Sequence, residues 1–355
     1  MPSVPSLKTR AARRGLGRAT LADVASSAGV TAITVSRYLR EPQRVAAATA
    51  HRIAQALAAT GYVPNKQAGA LASAGAGASR MVAALIPSIA NSIFAETVQG
   101  LAEALQGSGC ELLLAATDYS VEREEAQLRA LMGWFPSAIV VTGRRHTDAA
   151  TALLHQARAR GAPVIEIWDH HAQHDGFIQI GFDHAEVGRA MAAHLIERGH
   201  HRLAYLDSGV AEDFRAHERG EGFLAEASRR RARATLLIAP RAGDAMQAGR
   251  EALPCLLDAQ GRPAFDAVAC ANDLLACGVL LGAPHARLQV PRDIALLGFG
   301  DFALGRQLDP ALSTVQVPRR EIGRVAARAL LDAIDGKAAA TDQRLPWTLL
   351  PRNST

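Results

Sequence analysis

Cysteine is scarce in this chain. There are four in 355 residues, Cys110, Cys255, Cys270 and Cys277, scattered through apolar segments without the paired spacing of a zinc site. They read as reduced core thiols of a cytoplasmic protein rather than as disulfide partners. Long hydrophobic runs are missing too. None reaches the roughly 18 residues that a membrane-spanning helix needs, so no membrane partner is expected. Residues 1–20 lack the apolar stretch of a secretory signal. Catalytic signatures are also absent: there is no nucleophile elbow, phosphate loop or pair of catalytic carboxylates. GFGDFA at 298–303 lacks the third glycine of a dinucleotide loop. The twelve histidines include two clusters, His170, His171 and His174, and His200 with His201. Neither lies on a helix face with carboxylates at zinc-enzyme spacing, so both read as surface loops. The expectation is therefore no enzyme, no metal and no cofactor.

What the chain does have is an uneven charge. Residues 1–66 hold ten Lys/Arg against Asp23 and Glu41, a net +8. The whole chain carries +5, which leaves −3 for residues 67–355. Such asymmetry is the footprint of a phosphate-binding module. The first eighteen residues are Pro/Ser/Arg-rich and are expected to be a disordered basic leader, either inert or adding non-specific DNA affinity.

The stretch TLADVASSAGVTAITVSRYL, residues 20–39, carries the most information. Leu21, Val24, Ala25 and Ala28 recur at helical spacing and give one apolar face. Gly29 stands where the chain must turn, a position that often needs positive φ. Thr31 can cap the following helix through its hydroxyl. Val35 and Leu39 give that helix its buried side, and Ala32, Ile33, Ser36 and Arg37 are left facing outward. Such a helix, braced by another, suits the DNA major groove; an ordinary helical hairpin is the alternative. A third helix is expected over 46–60, with Ile53, Ala54 and Leu57 inward and Gly61 ending it.

From about Met81 the pattern alternates apolar runs with helical segments. Candidate strands are 82–86, 111–115, 138–142, 163–167, 177–182, 202–206, 235–238, 267–270 and 295–298. Helices are expected over 94–106, 121–132, 185–198, 250–257 and 274–281, among others. Alternating strands and helices with nearly continuous apolar strands imply parallel sheets covered on both faces. Nine strands are many for one sheet, so two lobes are the simpler arrangement.

Together these features resemble the LacI/GalR family of transcriptional repressors. That family opens TLxDVAxxAGVSxxTVSRxLN, continues with a helix and then carries a GYxPNxxAxxLA hinge. This chain supplies Thr20, Leu21, Asp23, Val24, Ala25, Ala28, Gly29, Val30, Thr34, Val35, Ser36 and Arg37 in register. It then supplies Gly61, Tyr62, Pro64, Asn65, Ala68, Leu71 and Ala72. Thr31 replaces the usual Ser, and Arg40 and Glu41 stand where Asn is common. Ala46 replaces the usual Ser cap, which weakens the start of the third helix by roughly 1 kcal/mol. Within the family, segments such as PSIANSIFAETVQGL, IGFDHAEVGRAMAAHL and CANDLLA look most like repressors of gluconate-utilisation operons.

The resemblance implies an α/β protein: a helix-turn-helix headpiece plus hinge helix, then a two-lobed periplasmic-binding-protein-like body of doubly wound parallel sheets. The implied boundaries are a leader 1–18, a DNA-binding domain 19–64, a hinge helix and linker 65–79, and an effector-binding and dimerisation domain 80–355. The N-lobe would span 80–178 and 316–338, the C-lobe 179–315 and 339–355. DNA contacts are expected from Thr20, Thr31, Ala32, Ile33, Thr34, Ser36, Arg37 and Tyr62. The hinge residues Asn65, Ala68 and Leu71 complete that set, with Leu71 wedging into the minor groove. A homodimer on a palindromic double-stranded operator is implied, since the leucine-repeat terminal helix of the tetrameric lac repressor has no counterpart after Asp335.

Ligands of open α/β sheets bind beyond the carboxyl ends of the strands. That rule, with the chemistry of hydroxyl-rich acids, selects Ser88, Asn91, Phe94, His146, Glu166, Arg219, Asn272 and Asp301 as effector-binding candidates. Arg219, in RGEGF, aligns with the family's effector-binding arginine and offers a bidentate match to a carboxylate. Phe94 is either a stacking face or core. Glu166 either accepts hydroxyl protons or pairs with a basic neighbour. The implied effector is a sugar acid of the gluconate type, with ketogluconate or a neutral sugar as alternatives. A sugar-binding protein without regulatory role is the remaining alternative. The sign of the effector's action is open at this stage.

Overall fold

The structure, a computed structural model, describes residues 19–62, 81–89, 92–172, 176–337 and 341–355. The leader, the hinge with Asn65, Ala68 and Leu71, Asn91 and His174 fall outside those residues. The described residues form two compact units, one on each side of residue 78.

The N-terminal unit is three helices: α1 (Leu21–Ala28), α2 (Ala32–Arg40) and α3 (Ala47–Thr60). Thr20 and Asp23 form a reciprocal capping box at the start of α1, satisfying two otherwise orphaned N–H groups. Gly29 ends α1 at φ +64°, the left-handed conformation expected of it. Thr31 caps α2 by accepting from the Thr34 N–H. Ala46 makes no side-chain cap for α3. Val24, Ala25, Ala28, Val35, Ile53 and Ala56 form the core, with Tyr62 packed against its edge. Ala54, expected inward, is exposed; Ala56 takes that place because it lies three residues from Ile53, on the same helix face.

The second unit holds two six-stranded sheets. The first contains β1 (Met81–Ile86), β2 (Glu111–Ala116), β3 (Ala138–Thr142), β4 (Val164–Ile167), β5 (Ile178–Gly181) and β11 (Gln343–Arg344), in the order β2-β1-β3-β4-β5-β11. The second contains β6 (Arg202–Asp207), β7 (Arg233–Ile238), β8 (Ala267–Cys270), β9 (Ala295–Phe299), β10 (Ser313–Gln316) and β12 (Thr348–Leu350), in the order β7-β6-β8-β9-β10-β12. All pairs are parallel except β10 with β12. Each lobe thus repeats one doubly wound order, with the reversal between its first and third strands.

The helices are α4 (Ser92–Leu105), α5 (Val121–Met132), α6 (Asp148–Ala159), α7 (His184–Glu197), α8 (Phe214–Arg229), α9 (Ala245–Glu251), α10 (Asp273–Gly282), α11 (Ala303–Gln307) and α12 (Arg319–Ile334). The lobe limits differ from expectation. β5 and β11 both belong to the first sheet, and β10 extends to Gln316 in the second. The chain therefore passes between lobes after Gly181, after Gln316 and after Arg344, a few residues later than 178, 315 and 338. The helix expected over 250–257 also shifts: α9 ends at Glu251 and a short 3-10 turn carries Pro254. Proline has no N–H for the α-helical ladder, which accounts for the early stop.

Of the thiols, Cys270 and Cys277 are buried, Cys110 is half-buried and Cys255 is exposed, so the core reading fails for Cys255. His201 is exposed and His170, His171 and His200 are half-buried. Among the described residues no group of three His, Cys, Asp or Glu could hold a metal ion, and no helix is long and apolar enough to cross a membrane.

Candidate DNA-reading helix and effector cavity

On α2 the outward face is small and mostly uncharged. Thr31, Ala32 and Arg37 are exposed, and Ile33 is 70% exposed. Thr34 and Ser36 are half-buried, and the Thr31 and Thr34 hydroxyls are hydrogen-bonded at 2.9 Å. An isoleucine this exposed on a helix whose other face is core has no packing role in its own unit. Thr20 is spent on the cap of α1 while remaining exposed, and Tyr62 is half-buried.

A cavity of about 430 Å3 opens between the lobes of the second unit. It lies at the carboxyl ends of the strands, as the doubly wound topology dictates. Phe94 follows β1, Tyr119 follows β2 and Trp168 follows β4; these aromatic side chains form the first lobe's wall. The second lobe contributes Ser208 after β6, Arg241 after β7, Asn272 after β8, Phe299 from β9 and His184, Arg215 and Arg219 from α7 and α8. Phe94 meets Trp168 edge-on at 5.5 Å and Tyr119 at 6.2 Å. It is 3% exposed, so it is core and cavity wall at once.

Arg219 is the centre of the site. It is only 4% exposed. Nη1 donates to Nδ1 of His184 at 2.9 Å and Nη2 to the Ala271 carbonyl at 2.9 Å. The guanidinium lies 3.9 Å over the Phe299 ring, while Nε has no partner. No carboxylate among the described residues stands within ion-pairing distance. His184 is neutral: burial, and then the charges of Arg219 and Arg215, push its pKa well below the usual value. Its Nε2–H donates to the Trp168 carbonyl at 2.8 Å, which leaves Nδ1 to accept from Arg219. The ring therefore positions the guanidinium without neutralising it.

Asn272 also lines the cavity, but its Oδ1 accepts from the Leu275 N–H as the cap of α10. The next residue, Asp273, is buried and accepts from the Thr314 hydroxyl and the Phe302 N–H.

Four candidates do not line the cavity. His146 is buried in the first lobe, with Nδ1 2.5 Å from Glu124 and Nε2 3.4 Å from Glu166. The second separation is an ion pair rather than a hydrogen bond. Burial disfavours the charged imidazolium, but the two carboxylates prevail and raise its pKa to about 9. Glu166 is thus the pairing case: it faces His146 and accepts from Gln179 at 2.7 Å. Asp301 is consumed by Arg352 at 2.6 Å, Arg306 at 3.2 Å and Gln316 at 2.9 Å. Ser88, half-buried after β1, is also not part of the cavity wall.

Several wall residues escaped the sequence reading: His184, Arg215, Tyr119, Trp168, Ser208, Arg241 and Phe299. Arg215 carried a legible signal, because it lies one helical turn before Arg219 and so shares its face. It is 4% exposed, its Nη1 donates to the Thr142 carbonyl at 3.3 Å, and it stands 4.8 Å over Phe214. Beside it a bridge joins the lobes: Arg144 reaches Asp169 at 2.7 Å and Glu218 of α8 at 2.5 Å.

Comparison with known proteins agrees with this architecture. Residues 20–65 match the profile of bacterial regulatory proteins, lacI family, and residues 192–355 that of a periplasmic binding protein-like domain. The chain is 37% identical over 353 residues to the HTH-type transcriptional regulator GntR of Pseudomonas aeruginosa, covering 96% of this chain and 97% of that one. It is 33% identical over 342 residues to the regulator GntR of Escherichia coli, covering 95% and 98%. A solved LacI-family transcriptional regulator from Silicibacter pomeroyi superposes with a TM-score of 0.85 at 30% identity, over 95% of this chain and 99% of that one.

Proposed function

Because the chain belongs to the lacI family of bacterial regulatory proteins, we propose that it represses sugar-acid catabolic genes and that a gluconate-type effector releases it from its operator. The observation that carries the effector half is Arg219: a buried guanidinium, facing a cavity, with no carboxylate within ion-pairing distance among the described residues. An uncompensated buried charge costs several kcal/mol. A ligand carboxylate accepted by Arg219 removes that penalty, and the half-apolar wall of Phe94, Trp168 and Phe299 accepts the carbon faces of a polyol.

The DNA half rests on α2. Two copies of the chain place two such helices in successive major grooves of a palindromic site. Ala32 and Ile33 have no hydrogen-bonding side chains, so they read thymine methyls or groove shape, and Arg37 contacts a guanine or a phosphate. The protein works as a switch rather than a catalyst. The effector binds the DNA-incompetent form more tightly and shifts the population toward it.

Calorimetric titration of the full chain with gluconate tests the site. The expected result is saturable binding that weakens at least roughly tenfold in Arg219→Ala, the range of a lost charge-assisted hydrogen bond. Unchanged affinity in that variant removes the cavity from the account.

A further inference from the structure

Arg219 is not alone in the deep part of the cavity. Arg215 sits one turn earlier on α8, faces the same space and is equally buried at 4% exposure. It too has no carboxylate within ion-pairing distance among the described residues. Like charges one turn apart on a helix repel even at the surface, and more so away from water.

The acids nearby act on them only from beyond ion-pairing distance, Asp169 on Arg215 and Asp207 on Arg219. Asp169 pairs with Arg144 through Oδ1 while its buried Oδ2 has no hydrogen-bond partner, and burial pushes its pKa up to about 7. Asp207 is held at the end of β6 by the Gly209 N–H and by His217 at 3.5 Å. Asp213 and Asp244 cap α8 and α9, and Glu212 is exposed at the rim. His184, between the two guanidiniums and the first lobe, is neutral. The N-termini of α8 and α10 also open on the cavity, adding partial positive charge. A monoanion held by one of the two arginines therefore leaves the other with no anionic group in direct contact among the described residues.

We propose that the effector is a hydroxylated acid carrying two anionic groups, and that Arg215 and Arg219 together read them. This rests on the sugar-acid reading above and narrows it. The second group is either a phosphate or a second carboxylate, and the same chemistry serves both.

The test is calorimetric titration of the full chain with three probes: gluconate, phosphogluconate bearing its phosphate at the far end, and glucarate. At least one of phosphogluconate and glucarate is expected to bind roughly tenfold or more tighter than gluconate, the scale of one added charge-assisted contact. Arg215→Gln is expected to shrink that preference to within about threefold, while gluconate itself loses less. Repeating the titration toward pH 5 separates the sources: a phosphate arm weakens as its second proton returns near pH 6, and a dicarboxylate arm does not. Gluconate binding as tightly as both of the others overturns the second anionic group and leaves the sugar-acid site standing. Binding of none of the three overturns both. The wild-type ranking needs no variant, so a poorly folded Arg215→Gln does not shield the proposal.

Discussion

On the proposed reading, operator choice turns on Ile33. Its side chain projects 70% exposed from α2, so its contribution is chiefly to whatever the helix meets. Replacing it with Gln offers an adenine-reading amide in place of a methyl-reading surface. Ile33→Gln is expected to change which operator variants are bound by about 1–3 kcal/mol per altered base pair while moving total affinity less. A panel of operator fragments differing at single positions checks this; an unchanged ranking contradicts it. His146 gives a second prediction, in pH. Its folded pKa is raised to about 9 from an ordinary 6.5. The stabilisation it brings is present in full below pH 6.5 and is lost as pH rises through 9. Asp169, raised to about 7, acts in the same direction lower down: the folded form keeps a proton between about pH 4 and 7 that the unfolded chain has released. The stability gap between wild type and His146→Gln is therefore expected to close from pH 6.5 to 9, as read by denaturant midpoints at each pH. A gap constant across that window contradicts the charged Glu124–His146–Glu166 network.

At the scale of elements, the placement of Arg219 depends on how closely α7 and α8 approach. A Cβ on Gly188 would sit 1.9 Å from the Arg219 carbonyl oxygen, and one on Gly222 would sit 2.1 Å from that of Ala185. Both neighbours are backbone, so neither can step aside without moving a helix. Gly188→Ala is expected to destabilise the fold by about 1–3 kcal/mol and to weaken effector binding with it. An unchanged urea midpoint contradicts the crossing. The same scale explains what was legible in the sequence. β1 to β9 are strong apolar runs or alternations, and their positions follow from residue type alone. β10, β11 and β12 read STVQ, QR and TLL, with little apolar pattern; they exist because a neighbouring strand offers a ladder. Arg219 was legible because its motif is local. His146, Glu166 and Asp301 were misplaced because their partners, Glu124, Gln179 and Arg352, come from other elements and claim the polar atoms that a ligand would need.

Across the whole molecule, a basic DNA-reading unit is joined in one chain to a two-lobed unit whose cavity buries two arginines. The coupling between them is an equilibrium between a DNA-competent and a DNA-incompetent form, and only a ligand that prefers one form can shift it. The most direct measurement is fluorescence anisotropy of an operator fragment bound to the full chain, at fixed salt high enough to suppress non-specific binding. The complex is titrated with sugar acids, ribose and a purine. Release by a sugar acid, and by neither ribose nor the purine, is the predicted result. Specific operator binding that no sugar acid alters, or that a sugar acid tightens, contradicts the account.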